Sequence, residues 1–393
     1  MTPGPKNLLV QEFISSRPDW EAVLSAPPYA LRISWDSFSG RNLLMLKYSQ
    51  VDSDMSIPLV QECRGLILDA DTFEVVSFPF VKFFNVQEPN AAKIDWNSAR
   101  ITEKIDGNLI KVVRLGNDLL ISTNGTILAD KAPVAPQPDC PFKTFGEIVR
   151  EVFRKKISEG IFSPDHFREN FTYMFELTSP WTRVVVPHKE NGMRFLGLRD
   201  NSTFRESLPY GHPLTDAFPP PRIFSMKSLD ECISVARELP WDEEGYVVVD
   251  GDFNRVKVKS PRYLSVHHLR GDSGILSYRR AIEVVRANEV DEIVGYFPEF
   301  GEPLAKVKAD IAALGEKLKA AWFKFGCVRH HFRTRKELAA VIMDEDCFGK
   351  RFSGIGFGLL DGKIESVDRF LETVPTEKLL LMLGYKERRQ DVD

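Results

Sequence analysis

The stretch Glu103-Lys104-Ile105-Asp106-Gly107-Asn108 sets a lysine, an acid and a glycine between the end of one strand signal and the start of the next, residues 109–114. Taken alone, K-x-D-G reads as a charged turn. Further charges set into strand patterns change that reading. Glu176 interrupts the apolar run 173–177, Glu244-Gly245 opens the run 246–249, and Lys257 and Lys259 alternate along 255–259. Residues two apart on a strand share a face, so both lysines point the same way. Buried or half-buried charges are costly unless paired or bound to a ligand. Their recurrence inside strand patterns points to a polyanion pocket between sheets.

Working outward, strand runs occupy 43–48, 65–68 and 75–85, and 109–114 and 119–123 form a hairpin across Gly116-Asn117-Asp118. Thr144 with Glu147 forms a capping box for a helix whose apolar face is Phe145, Ile148, Val149, Val152 and Phe153. Strand signals return at 172–177, 182–186, 195–198 and 246–249, with a short helix capped by Ser228 and Glu231 and ended by Pro240. After about residue 264 the pattern turns helical. Leu304, Val307, Ile311, Leu314 and Leu318 step by three and four, and 283–296, 335–343 and 377–383 also read as helices. The predicted class is α+β: a strand-rich domain over 1–264, then an all-helical domain over 265–393.

A chain of 393 residues suits two domains. Its 43% hydrophobic and 27% charged composition excludes disordered and fibrous classes. No apolar run approaches the ~18 residues of a membrane span, and the first residues lack a basic-then-apolar signal pattern, so neither membrane insertion nor secretion is expected. Five scattered cysteines without a C-x-x-C pair argue against disulfides and zinc, and for a reducing cytoplasm or nucleus. Net charge is −4, so nucleic-acid binding must come from local patches. The clearest patch is 317–336, with seven basic residues, no acid, and Trp322, Phe323, Phe325 and Phe332 interleaved. Its basic side chains, Arg333 and Arg335 among them, are expected to contact RNA phosphates, with exposed aromatics stacking on bases. Alternatively, Trp322 and Phe323 extend the apolar helical stripe into the core.

In order, K-x-D-G, Phe175-Glu176-Leu177, Glu244-Gly245-Tyr246-Val247 and Lys257-Val258-Lys259-Ser260 resemble the covalent nucleotidyltransferases: DNA ligases, RNA ligases and capping enzymes. Upstream lie Glu62-Cys63-Arg64-Gly65-Leu66-Ile67 and Pro79-Phe80-Val81-Lys82-Phe83-Phe84-Asn85, and Arg183-Val184-Val185-Val186 follows. With these the pattern is similar to one branch, the phage-type RNA ligase 1 family. The resemblance implies a nucleotidyltransferase (ATP-grasp-like ligase) domain of two antiparallel sheets with flanking helices and ATP between them. It also implies that the helical domain selects RNA.

The implied activity is ATP-dependent sealing of RNA 5′-phosphate and 3′-hydroxyl ends through lysine–AMP and adenylylated RNA, in RNA (tRNA) repair. A separate end-healing kinase-phosphatase is the implied partner. Lys104 would bear AMP and Gly107 would admit the nucleotide. Glu176 would accept from the ribose hydroxyls, and Lys257 and Lys259 would bind the α-phosphate. Arg64 and Lys82 would grip the outer phosphates, with Phe84 packing nearby. Glu244 would hold Mg²⁺, or Mn²⁺ in its place, through waters, Asp106 would orient Lys104 or metal or simply cap the turn, and Asp291 would match an accessory metal acid. Attack needs a neutral amine, so the field of Lys257 and Lys259 is expected to lower the Lys104 pKa.

One departure stands out: Asn124 occupies a position where the family carries a basic residue. Two further readings share these motifs in part, a capping-type or DNA-end nucleotidyltransferase and a non-catalytic RNA-binding module on the same fold. The Arg64 and Lys82 motifs favour a ligase, and the intact set Lys104, Glu176, Glu244, Lys257 and Lys259 favours turnover. Gly354-x-Gly356-x-Gly358 followed by Gly362-Lys363 misses the phosphate-loop spacing. The pairs His267-His268 and His330-His331 are adjacent, so they point different ways on a helix.

Lys104→Ala should abolish a protein–AMP adduct formed with labelled ATP and Mg²⁺. Lys104→Arg should fail as well, because a guanidinium stays protonated; wild-type adduct in either variant refutes the role of this lysine.

Overall fold

The computed structural model describes residues 7–50, 52–264, 276–286, 290, 293–294 and 298–385. The chain divides into two compact units, Met1–His267 and His268–Asp393. Strands of the first unit are β1 (Leu31–Phe38), β2 (Arg41–Tyr48), β3 (Arg64–Asp69), β4 (Val75–Ser77), β5 (Phe84–Asn85), β6 (Arg100–Glu103) and β7 (Asn108–Leu115). They continue as β8 (Asp118–Thr123), β9 (Phe171–Thr178), β10 (Gly192–Asp200), β11 (Glu206–Ser207), β12 (Ile223–Phe224), β13 (Gly245–Val249) and β14 (Arg255–Lys259).

Two five-stranded sheets, β11-β10-β9-β7-β8 and β12-β6-β13-β14-β5, hold the charged residues picked out above. Their ladders are antiparallel, except that β5 adds to β14 in parallel. A further antiparallel sheet, β1-β2-β3-β4, uses the residues before them. The β7–β8 hairpin turns where Leu115 faces Asp118, and Gly116 takes φ +61° there, a left-handed conformation that costs glycine little.

Helix Phe145–Ser158 starts as its capping box requires: Thr144 Oγ1 accepts the Glu147 amide at 3.3 Å and Glu147 Oε2 accepts the Thr144 amide at 3.4 Å. Its buried side chains, with Ile110, Tyr173, Phe175, Phe195 and Phe218, form the core behind β7, β9 and β10. Phe153, Phe162, Phe167, Phe175 and Phe218 meet there with ring centroids 5.0–6.2 Å apart. A jigsaw of this kind fixes β9, and with it Glu176, against β7.

Two strand expectations fail. Residues 182–186 carry β-branched residues yet pair with no strand among the described residues; instead the Val185 and Val186 amides serve a buried carboxylate. Residues 75–85 are broken into β4 and β5 with irregular backbone between, because the second half leaves one sheet to join another.

The second unit is helical wherever it is described with regular structure. Helix Gly301–Val328 buries Leu304, Val307, Leu314 and Leu318, as their spacing requires, and helices Arg335–Met343 and Thr376–Leu383 form as predicted. The glycines of 354–358 lie inside helix Gly349–Leu360 rather than in a phosphate loop. A Cβ at Gly356 would stand 2.7 Å from Ile342 and one at Gly358 2.5 Å from Ile364, so these two glycines serve packing, while Gly354 faces open space. Among the described residues no helix is long and apolar enough to cross a membrane. Asp291 lies outside the described residues.

Candidate active site

The chain passes from β6 in one five-stranded sheet to β7 in the other within residues 104–107, so Lys104 stands at the junction of the two. The crossing is fastened at three places. The Lys104 amide donates to Gly245 O at 2.8 Å. The buried Asp106 carboxylate accepts from the Val185 and Val186 amides at 2.8 and 2.6 Å and from the Tyr263 hydroxyl at 2.8 Å. His188 Nε2 donates to the Asp106 carbonyl at 2.6 Å. Gly107 runs against β9 so closely that a Cβ would sit 2.4 Å from Leu177 O. Here glycine is required by backbone approach, not by φ. Asp106 is therefore an anchor of the crossing, and both its oxygens are engaged.

A cavity of about 610 Å³ opens at this junction. Of the predicted residues, Arg64, Lys104, Gly107, Glu176, Lys257 and Lys259 line it. Glu244 lies just behind, buried, with Oε2 2.7 Å from Lys104 Nζ and Oε1 3.2 Å from Lys259 Nζ. It is held there by Gly245, whose φ of +132° and a would-be Cβ 2.1 Å from Val258 O exclude other residues. Lys82 and Phe84 stand off the wall: Lys82 Nζ donates to Gln50 Oε1 at 3.3 Å and sits 5.6 Å from the Phe84 ring centroid, and Phe84 is buried in its strand.

Lys257, paired in register with Val247, points into the cavity as does Lys259, opposite Gly245. Arg64 and Lys257 both lie over Phe83, at 5.1 and 4.9 Å from its ring centroid. That aromatic shelf is a residue the sequence reading passed over, although it lies inside the quoted run 79–85. Tyr263, also in a quoted stretch but given no role, closes the Asp106 network.

Charge crowding sets the protonation states. Burial, then Arg64, Lys104, Lys82 and Lys259, push Lys257 down to about 6. Burial pushes Glu176 up to about 8 against the pull of Lys104. For Lys104 the expectation of a lowered pKa is reversed. Burial works downward, but Glu244, Glu176 and Asp106 outweigh it and hold the ammonium above its ordinary value. Glu244 also takes up Lys259, so the field meant to deprotonate Lys104 is spent on a carboxylate.

The wall suits a nucleotide. Arg64 Nη1, Asn108 Oδ1 and Asn124 Oδ1 are buried without a hydrogen-bond partner among the described residues, and all three residues line the cavity. Buried polar atoms are rarely left so, and a bound polar molecule would satisfy them. Phe145, Leu196, Leu208 and Pro209 supply apolar wall elsewhere. For Mg²⁺ the fit is of one kind only. Among the described residues no group of three acidic, His or Cys side chains gathers, so Glu244 would hold the ion largely through water, the habit of Mg²⁺.

With this geometry in place, comparison with known proteins gives a consistent answer. A family model described as RNA ligase matches residues 62–263. The chain belongs to the phage-type RNA ligase 1 family. It is 29% identical over 286 residues to a protein of Autographa californica nuclear polyhedrosis virus named as a bifunctional polynucleotide kinase/RNA ligase, covering 68% of this chain and 39% of that protein. To an RNA ligase of Rhodothermus phage RM378 it is 24% identical, covering 81% of this chain and 85% of the phage protein. The chain thus spans well under half of the baculoviral relative. A solved archaeal ATP-dependent RNA ligase superposes with a TM-score of 0.42 at 14% identity, over 79% of this chain and 83% of that one.

Asp106→Ala would leave two amides and a hydroxyl buried without their acceptor. It should lower the unfolding free energy by about 3 kcal/mol, read by urea titration; a loss within error of zero refutes the anchor. Glu176 gives a pH signature. Its folded pKa of about 8 exceeds the ordinary 4.5, so the folded state holds the proton more tightly, and stability falls as pH rises from about 4.5 to about 8. Glu176→Gln should flatten that fall. Parallel stability curves for the two proteins across this window would contradict it.

Proposed function

We propose that this protein is an ATP-dependent RNA ligase that works through Lys104. The observation that carries the reading is the Lys104–Glu244 contact of 2.7 Å at the wall of a cavity lined by Arg64, Lys257 and Lys259. Lys104 begins protonated, and Glu244 is placed to receive the proton. The freed Nζ attacks the α-phosphorus of ATP; an N–P bond forms, the bond to the bridging oxygen breaks, and pyrophosphate leaves. Lys257 regains its proton as negative phosphate enters, and with Lys259 and Arg64 it balances charge on the phosphoryl oxygens. AMP then passes to an RNA 5′-phosphate, and a 3′-hydroxyl displaces it to seal the strand. Mg²⁺ held by Glu244 would add positive charge at the same oxygens. Since one viral relative is named for polynucleotide kinase as well as ligase, a kinase activity would prepare the ends that this chain joins.

The helical unit is assigned to RNA through part of the stretch 317–336. The aromatics divide: Trp322 stacks on buried Phe325 at 5.3 Å, whereas Phe323 is 73% exposed. Lys319 pairs with Asp368 and Arg335 with Asp361, while the Arg329, Arg333 and Lys336 side chains join no ion pair among the described residues.

Labelled ATP should give an acid-labile adduct where labelled GTP does not, and pre-adenylylated RNA should be sealed without ATP. Arg333→Glu with Lys336→Glu should leave the adduct and weaken joining, with the salt slope flatter by about 1 per lost phosphate contact. No adduct from the wild type refutes the ligase reading; unaltered joining by the double variant across a salt series removes RNA from this patch.

A further inference from the structure

Arg64 is the inner end of a row of cations. In the β1-β2-β3 ladder, Arg32 stands opposite Lys47, and Lys47 stands opposite Arg64. Directly opposed residues share a face of the sheet, and like charges in that relation repel. The row runs from exposed Arg32 through half-buried Lys47 to Arg64 on the cavity wall. Below it lies Lys111, wholly buried, its ammonium donating to Gly65 O. Neither Lys47, Arg64 nor Lys111 joins an ion pair among the described residues. Burial and then Arg32 lower the Lys47 pKa; burial, Arg64 and Lys47 bring Lys111 down to about 7.

The cavity rim is open to this row. Lys47 lies on the same face as Leu43 and Met45, which pack against Val113 and Leu120 of the β7–β8 hairpin. Beyond Met45 that packing ends at the turn after β8, where Gly125 lines the cavity and a Cβ would stand 3.2 Å from Lys47 Nζ. With no side chain at 125, Lys47 stands directly behind the rim, and Arg64 is the member of the row that lines the wall. The turn itself, Thr123-Asn124-Gly125-Thr126, carries no charge. Lys47 and Arg64, which join no ion pair among the described residues, continue from Arg32 in a line graded from solvent to a nucleotide-sized cavity, with the ladder shifting register at Lys47, and a ligand with phosphates in series matches that line.

We propose that Arg32, Lys47 and Arg64 form a phosphate track along which a single polynucleotide strand lies as its end enters the cavity. This rests on the ligase reading above and adds a strand path on the N-terminal unit. Each cation displaces counterions from the strand, so the track adds to affinity and to its dependence on salt.

The test measures binding of a short single-stranded RNA with a 5′-phosphate by fluorescence anisotropy over a salt series, alongside the KM for ATP. Arg32→Met with Lys47→Met should weaken RNA binding about tenfold and flatten the salt slope by about 1.4, at ~0.7 per phosphate on a single strand. Arg32→Glu, an exposed change that spares the fold, should weaken it in the same direction, and Lys47→Arg should restore it. RNA affinity and slope equal to wild type overturn the track. So does a rise confined to the ATP KM, which would give the row to the nucleotide's polyphosphate. Adduct formation by the wild type separates the two readings: without it the ligase assignment falls, while RNA affinity still decides the track.

Discussion

Everything chemical in the N-terminal unit hangs on the buried Asp106 carboxylate. Four residues carry the chain from one five-stranded sheet to the other, and a crossing that short has no packing of its own to hold it. Two amides, a tyrosine hydroxyl and a histidine supply the hold instead. Hydrogen bonds to a charged acceptor are the stronger kind, and a buried carboxylate deprived of them would be among the most expensive groups in the fold. The partners come from residues 185–188 and 263, far from 106 in sequence, so the crossing is fixed only once the whole unit has folded. Lys104 thereby inherits a position determined by three distant segments. This also explains why 182–186 does not form a strand: its amides are already bonded to Asp106.

The site built on that anchor is electrostatically unsettled. Glu244 satisfies Lys104 and Lys259 together, leaving Lys257 and Arg64 to share the face of Phe83. Such crowding pushes the buried groups toward neutrality, Lys257 downward and Glu176 upward. On the proposed ligase reading, an incoming polyphosphate would reverse the balance: it would recharge Lys257, compete for Lys259, and so release Glu244 to take the Lys104 proton. Binding and activation would then be one event, with the lysine protonated until phosphate oxygens arrive.

Most of the charged cluster at the cavity was legible because strand periodicity is two. Charges at Glu176, Lys257 and Lys259 disrupt or decorate that period visibly, and Gly107 and Gly245 mark backbone contacts too close for a Cβ. What could not be read was who neutralises whom. The Lys104–Glu244 pair joins residues 140 positions apart, and without it the field of the two lysines predicts the wrong direction for the Lys104 pKa. The role of Asp106 was open for the same reason, since its ligands lie on other segments. The third sheet and its row of cations were invisible because Arg32, Lys47 and Arg64 become neighbours only through strand pairing. In the helical unit the 3.6-residue stripe identified the buried face of Gly301–Val328. It did not divide Trp322 from Phe323, adjacent residues on either side of the stripe's edge.

Gly107, Gly245 and Gly125 show how one residue type serves three needs at a single cavity. At Gly107 the missing Cβ lets the crossing run against β9. Gly245 needs both a positive φ and a close approach to β14, and this is what sets Glu244 behind the lysines rather than among them. At Gly125 the backbone is ordinary, and the omitted side chain leaves a space bordered by Lys47 Nζ. The first two are demanded by packing within the five-stranded sheets. Packing makes no such demand at Gly125: the atom nearest its would-be Cβ is the far end of a flexible lysine, which could move aside. What a side chain there would change is the space at the rim in front of Lys47. That ties the rim's shape to the cation row behind it rather than to the stability of the turn.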